Sequence, residues 1–233
     1  MRVLAIGDIH GCLGPLDDLL AWVKPQPDDV LVTLGDYVDR GPDTRGVLDR
    51  LIALKKARPL ICVRGNHEIM MVDAWLGGRA EQKMWLGVGG VQALGSYGPA
   101  PGRTGTLDDV PAEHWHFLQN ELVDYHESEL FIFVHAGLDY STEMDEQPNY
   151  KLFWDQLETD LRHHSGKTVI CGHTPQKSGE PKVVPGGVCI DTHVYGGGWL
   201  TCLDAISGRY WQADTLGRTR EGRVDYDDGD EAD

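Results

Sequence analysis

An α/β fold with a two-sheet β-sandwich core flanked by helices is the architecture this sequence predicts, on three observations. The first third of the 233 residues alternates strand-like and helix-like segments, the signature of a mainly parallel sheet covered by helices. The last third (VVPGGVCID, WLTCLDAISGRYWQAD) carries short alternating runs broken by turn residues, which predicts a second, more antiparallel sheet. Hydrophobic residues make up 41% of the chain, ample for one core, and no internal repeat or linker divides it.

In chain order, RVLAIG (residues 2–7) is a short apolar strand and LGPLDDLLAWVK (13–24) an amphipathic helix. DVLVTLG (29–35) is the next strand, TRGVLDRLIALKKA (44–57) a helix, PLICV (59–63) a partly β-branched strand and HEIMMVDAWL (67–76) a helix. The glycine-rich stretch from Leu86 to Gly105, with Pro99 and Pro101, is expected to be loop. PAEHWHFLQNEL (111–122) is helical, LFIFV (130–134) a strand, YKLFWDQLETDLRHH (150–164) a helix and TVICG (168–172) a strand. Trp85, Trp115, Trp154 and Trp211 lie in amphipathic or strand-like runs and are assigned to the core.

The net charge of −16 argues against a nucleic-acid backbone or an anionic membrane as partner. Part of that charge is local: EGRVDYDDGDEAD is acidic and nearly free of apolar residues, so residues 1–218 are expected to form the domain and 219–233 a disordered tail. The five cysteines show no CxxC pair, and three sit in apolar strands, which points to free thiols, a reducing compartment and no structural zinc. With no signal-peptide pattern and no apolar run of membrane-spanning length, a cytoplasmic location is expected.

What ends each strand is the informative feature. RVLAIG is followed by Asp8 and His10, DVLVTLG by Asp36, Asp39 and Arg40, PLICV by Arg64, Asn66 and His67, LFIFV by His135, and TVICG by His173. Any one of these suits a turn, and Asn66 alone could cap the helix that follows. Five strand ends in register are different, because clustered carboxylates and imidazoles without partners are unstable. Divalent cations resolve the conflict. Asp8 and His10, two apart on an extended chain, point the same way and can hold one ion. Asn66, His135 and His173 can complete a second, and Asp36 can bridge the pair. Oxygen and imidazole donors without thiolate suit Mn²⁺, with Fe²⁺ and Zn²⁺ as the other first-row candidates. His67, adjacent to Asn66 and facing the other way, is placed to protonate a leaving oxygen, with Asp39 as its carboxylate partner. Arg40 and Arg64 offer guanidinium forks to phosphate.

The ordered motifs GDIHG, GDYVDRG, RGNHE, VHAG and CGHT closely resemble the phosphoprotein phosphatase family of binuclear metallophosphoesterases, above all its small bacterial and phage members. The resemblance runs from Arg2 to about Asp214 and includes WLGVGGVQALGSYG. It implies the calcineurin-like β-sandwich fold, the ligand set given above, in-line attack by a metal-bridging hydroxide without a phosphoenzyme, and His67 with Asp39 as the general acid pair.

Two positions depart from the family pattern. Many relatives carry an arginine shortly after a tryptophan before the GHT strand; here Asp155 and Gln156 follow Trp154, and Arg162 is about two turns further on. Relatives often read DTGA after the final core strand, whereas here the run is Asp191, Thr192, His193, Val194, with Trp199 where a basic residue is common. His193 is therefore a candidate donor to phosphate or leaving group. The expected substrates are phosphoproteins, phosphopeptides or small phosphate esters, with symmetrical dinucleoside tetraphosphate hydrolysis as the alternative. Pro175 stands where cyclic-nucleotide and nuclease-type relatives carry a second histidine, and the complete ligand set disfavours a non-catalytic phosphate-binding scaffold.

Overall fold

The computed structural model describes residues 1–100 and 102–226. Among the described residues eleven strands form two sheets: β1 (Val3–Ile6), β2 (Val30–Thr33), β3 (Ile61–Cys62), β4 (Tyr125–Glu127), β5 (Phe131–Val134), β6 (Thr168–Cys171), β7 (Lys182–Val184), β8 (Gly187–Cys189), β9 (Leu200–Asp204), β10 (Arg209–Ala213) and β11 (Thr219–Arg223). The first sheet runs β11-β10-β9-β1-β2-β3 and the second β4-β5-β6-β8-β7. Strands β1, β2 and β3 are parallel, as are β5, β6 and β8. Their carboxyl ends therefore point to a common edge of the sandwich.

The strands read as continuous apolar runs because both of their faces are buried. In β5, Phe131 and Phe133 turn inward to a cluster with Ala5, Val32, Ile170 and Val188, while Ile132 and Val134 turn outward. In β1, Ala5 faces that inner cluster, whereas Leu4 and Ile6 face the helical layer. That layer comprises α1 (Leu13–Val23), α2 (Thr44–Ala57), α3 (Asn66–Leu76), α4 (Arg79–Trp85), α5 (Val91–Ser96) and α6 (Ala112–Asn120), while α7 (Asn149–Trp154) covers the second sheet. Among the described residues no helix is long and apolar enough to cross a membrane. All five cysteines are free and buried.

Four expectations differ from the structure. The stretch from Leu86 to Gly105 is not mainly loop: α4 runs on through a kinked turn at Gly89, where φ is 133°, into α5. Its glycines dilute the apolar periodicity, but Trp85, Ala93, Leu94 and Tyr97 still bury one face. The helix expected over residues 150–164 stops at Trp154, because the following chain bonds elsewhere: Leu157 N donates to Thr174 Oγ1 (2.8 Å) and Leu161 N to Pro185 O (2.7 Å). Trp154 itself is exposed rather than core. The last third does not form a sheet of its own; β7 and β8 join the second sheet, and β9 returns beside β1 in the first.

Residues 219–226, expected to belong to the tail, are part of the fold. Thr219–Arg223 forms edge strand β11 on β10, secured by an Arg209–Glu221 ion pair (2.7 Å), and Val224 is buried against the inner cluster. An edge strand with few apolar side chains has the composition of a tail, which hides it from sequence. Residues 227–233 lie outside the described residues.

Candidate metal centre

The loops at the carboxyl ends of β1, β2, β3, β5 and β6 bring Asp8, His10, Asp36, Asn66, His67, His135 and His173 together. Two groups have donor atoms within 4.8 Å of one another: His10, Asp36 and His67, and Asp36, His135 and His173. Asp36 belongs to both. Its Oδ2 lies 3.3 Å from His10 Nε2, and its Oδ1 lies 3.3 Å from His135 Nε2.

Backbone carbonyls set the imidazoles. His10 Nδ1 donates to Val38 O (2.9 Å) and His135 Nδ1 to Leu34 O (2.8 Å), which turns both Nε2 atoms inward as acceptors. His173 Nδ1 and Asn66 Oδ1 each lie 3.1 Å from His135 Nε2. Asn66 is thus no cap: it is the first residue of α3, and Gly65 precedes it as the N-cap. Asp8 lies outside the two groups of donors; its carboxylate accepts from the backbone N of His173 (3.1 and 3.0 Å).

The backbone is strained where these residues turn. His10, Asp36, Asp39, Arg40, His173 and His193 all have left-handed φ, and among the other described non-glycine residues only Lys24 does. Two glycines allow the close approach: a Cβ on Gly65 would overlap Asp36 Oδ1, and one on Gly172 would overlap Asp8 Oδ1.

Electrostatically the cluster calls for cations. Burial raises the carboxyl of Asp8 well above its ordinary range, and the neighbouring carboxylates of Asp191 and Asp36 raise it further. Burial also pushes Asp191 up to about 7. Burial would raise Asp36 too, but the imidazoles of His135, His67, His10 and His173 outweigh it and hold it low. Burial lowers His10, His135 and His173, with His173 at about 4, so these rings are neutral acceptors at neutral pH. Buried carboxylates and neutral, inward-facing imidazole nitrogens are the donor set that divalent cations take.

Beside the cluster, His67 Nδ1 donates to Asp39 Oδ2 (2.7 Å), leaving Nε2 3.9 Å from Asp36 Oδ2. Burial alone would lower the His67 imidazole, but the carboxylates of Asp36 and Asp39 outweigh it and raise it. Arg40 Nη1 donates to His10 Nε2 (2.9 Å), and its guanidinium lies 4.7 Å from the centre of the Tyr195 ring.

Arg64 is not brought to the cluster. Its side chain leaves on the opposite side of the loop, pairing with Asp124 (3.2 Å) and reaching Leu122 O (3.4 Å), so it braces the segment after α6 instead of facing a phosphate site. Arg162 is likewise engaged, at the surface, by Asp160. His193 stands one ring away: its imidazole meets Tyr195 edge-on (4.7 Å), and Tyr195 meets His10 edge-on (4.8 Å). Trp199 lies under Arg220 and Arg218.

Four neighbours of the site were not assigned a role from the sequence. Glu68 is fully buried and accepts from the backbone N of Asp36 (2.8 Å), Tyr37 (2.7 Å), Val38 (3.2 Å) and Gly65 (2.8 Å), tying two site loops together. Trp85 donates to Asp39, and Tyr195 lies against Arg40 and His10. Asp191 has one oxygen on His193 N (3.0 Å) and the other buried without a partner among the described residues. Asp191 had a readable signal, since it too ends a strand.

Comparison with known proteins agrees with this geometry. Residues 1–202 match the family model described as calcineurin-like phosphoesterase. Over 90 residues the chain is 42% identical to serine/threonine-protein phosphatase 1 of Salmonella typhimurium, covering 38% of this chain and 39% of that protein. Over 139 residues it is 34% identical to the symmetrical bis(5'-nucleosyl)-tetraphosphatase of Pseudomonas putida, covering 59% of this chain and 43% of that protein. The matches thus span less than half the length of either relative. A metallophosphoesterase structure from Sphaerobacter thermophilus superposes with a TM-score of 0.56 at 18% identity, over 97% of this chain and 90% of that one, a likeness of fold. With residues 1–202 of the 233 matching the family model and the motif residues gathered at one edge of the sandwich, the chain belongs to the calcineurin-like phosphoesterase family.

Proposed function

We propose that this chain is a metal-dependent phosphomonoesterase acting on phosphoproteins or small phosphate esters. The observation that carries this reading is the division of Asp36, whose two oxygens face separate imidazole groups. Asp8 and His10 would hold one divalent cation, Asn66, His135 and His173 the other, and Asp36 both. Two such ions, Mn²⁺ in our reading, would supply an activated water and neutralise charge on the phosphoryl oxygens.

The chain's own residues do the rest. Arg40, at the mouth of the cluster, would exchange its bond to His10 for the phosphate and orient it. His67, held through Nδ1 by Asp39, keeps Nε2 towards the cluster. Its Nε2 proton passes to the leaving oxygen as the P–O bond breaks. His193, with Tyr195 between it and His10, would touch a leaving group rather than the phosphate itself.

Symmetrical dinucleoside tetraphosphate hydrolysis is the second reading, favoured by the name of the Pseudomonas putida relative and by Asp155 and Gln156 standing where an arginine would follow Trp154. The test is to strip the protein of metal, restore Mn²⁺, and assay p-nitrophenyl phosphate, a phosphopeptide panel and diadenosine tetraphosphate side by side. Preference for the phosphomonoesters supports the first reading, preference for the dinucleotide supports the second, and turnover of none overturns both in favour of a binding protein.

A further inference from the structure

The indole of Trp85 is fully buried, and its Nε1 lies 2.9 Å from each carboxylate oxygen of Asp39. A buried indole N–H needs an acceptor, and the acceptor Trp85 takes is the same carboxylate that holds His67 Nδ1. We infer that Trp85 is a positioning residue for proton delivery: its N–H fixes the Asp39 carboxylate, which in turn fixes His67. This rests on the reading of His67 as the general acid.

The local structure supports that role. Asp39 is fully buried, has left-handed φ, and is anchored through its backbone N to Thr44 Oγ1 (3.0 Å). His67 supplies a donor to Oδ2 only. Trp85 is the donor that reaches Oδ1, and without it that buried oxygen would lack a partner among the described residues. The carboxylate would then be free to rotate about its χ2 angle, and the imidazole with it. The kinked turn at Gly89 packs the chain closely against the indole: a Cβ on Gly90 would overlap its ring. The same turn offers Gly89 O to the backbone N of Arg40 (3.3 Å), so one segment serves both the acid pair and the phosphate-facing arginine. Trp85 also borders a cavity of about 340 Å³ together with Gln82, Leu94 and Thr106.

The role predicts a dependence on the leaving group that simple packing does not. Trp85→Phe keeps an aromatic wall and removes the N–H. On the Mn²⁺-loaded enzyme, kcat/KM for phenyl and alkyl phosphates should fall about ten- to hundredfold, the effect of losing a hydrogen bond to a charged group. The fall on p-nitrophenyl phosphate should be much smaller, because p-nitrophenolate leaves with little need of a proton. Incorporating benzothienylalanine at position 85 removes the N–H with almost no change of shape, and decides the question if the phenylalanine variant does not fold. In an Asp39→Asn background, Trp85→Phe should have little further effect. Equal losses on all leaving groups, or additive losses in the double variant, would overturn the proposal. His67→Asn serves as the control: if it shows no dependence on the leaving group, it is the general-acid reading that fails.

Discussion

Glu68 Oε2 accepts a hydrogen bond of 2.8 Å from the backbone N of Asp36, across 32 residues of sequence and with both residues buried. One carboxylate at the start of α3 thereby sets the loop that carries Asp36, Asp39 and Arg40. Glu68→Ala would strand four buried backbone N–H groups, each costing about 1 kcal/mol or more, and should cost at least about 4 kcal/mol of stability, read from the urea midpoint. Glu68→Gln keeps an acceptor oxygen and should cost less. A Glu68→Ala variant of native stability and turnover would show that the loop is set by other contacts.

The close approach of Gly172 to Asp8 gives a steric prediction. Gly172→Ala places a methyl group on Asp8 Oδ1, so it should displace the carboxylate and lower kcat/KM by about 10²-fold, the scale of a 1 Å misplacement. Mn²⁺ titration of the same variant should show weakened affinity, and unchanged affinity would contradict the placement of Asp8 at the metal centre.

Metal removal should be visible in stability as well as in activity. A ligand present at a hundred times its Kd adds about 2.7 kcal/mol to the folded state. Chelation should therefore lower the thermal midpoint together with turnover, and Mn²⁺ should restore both. A midpoint indifferent to chelation would mean that the cluster holds no ion tightly.

Away from the site, Asp29 predicts acid sensitivity. Burial would raise its carboxyl, but the Arg2 guanidinium (2.6 Å) and the backbone N of Gln26 (2.8 Å) outweigh this and hold it at about 2. Because the folded pKa lies below the unfolded value, the pair stabilises the protein above pH ~4 and loses that contribution as pH falls towards ~2. Arg2 is 28% exposed, which limits the contribution to about 1 kcal/mol. Asp29→Asn should therefore be less stable than the native chain at pH 7 and indistinguishable from it near pH 2. A stability gap that stays constant with pH would rule out the pair as its origin.

The strand ends were legible because parallel strands deliver their carboxyl ends to one edge, so motif order alone gathers Asp8, Asp36, Asn66, His135 and His173. Arg64 was misplaced because a strand end leaves two directions open, and only the position of Asp124 shows which one the side chain takes. Trp85 carries no local signal of its partner, since Asp39 lies 46 residues away; Glu68 shows a local capping position with Gly65, but not its bonds to Asp36, Tyr37 and Val38 about thirty residues away. The helix expected past Trp154 failed because tertiary bonds to Thr174 and Pro185 outweighed local propensity. Strand β11 was missed because an edge strand needs backbone partners more than apolar side chains.

The most direct test of the central claim is to count Mn²⁺ bound per chain by equilibrium dialysis, in the native protein and in Asp36→Asn. If one carboxylate serves both ions, the native chain should bind two, and the variant should lose affinity for both together with nearly all turnover. A native chain that binds one ion, or a variant that keeps one site at native affinity, would contradict the assignment of Asp36 as the bridge.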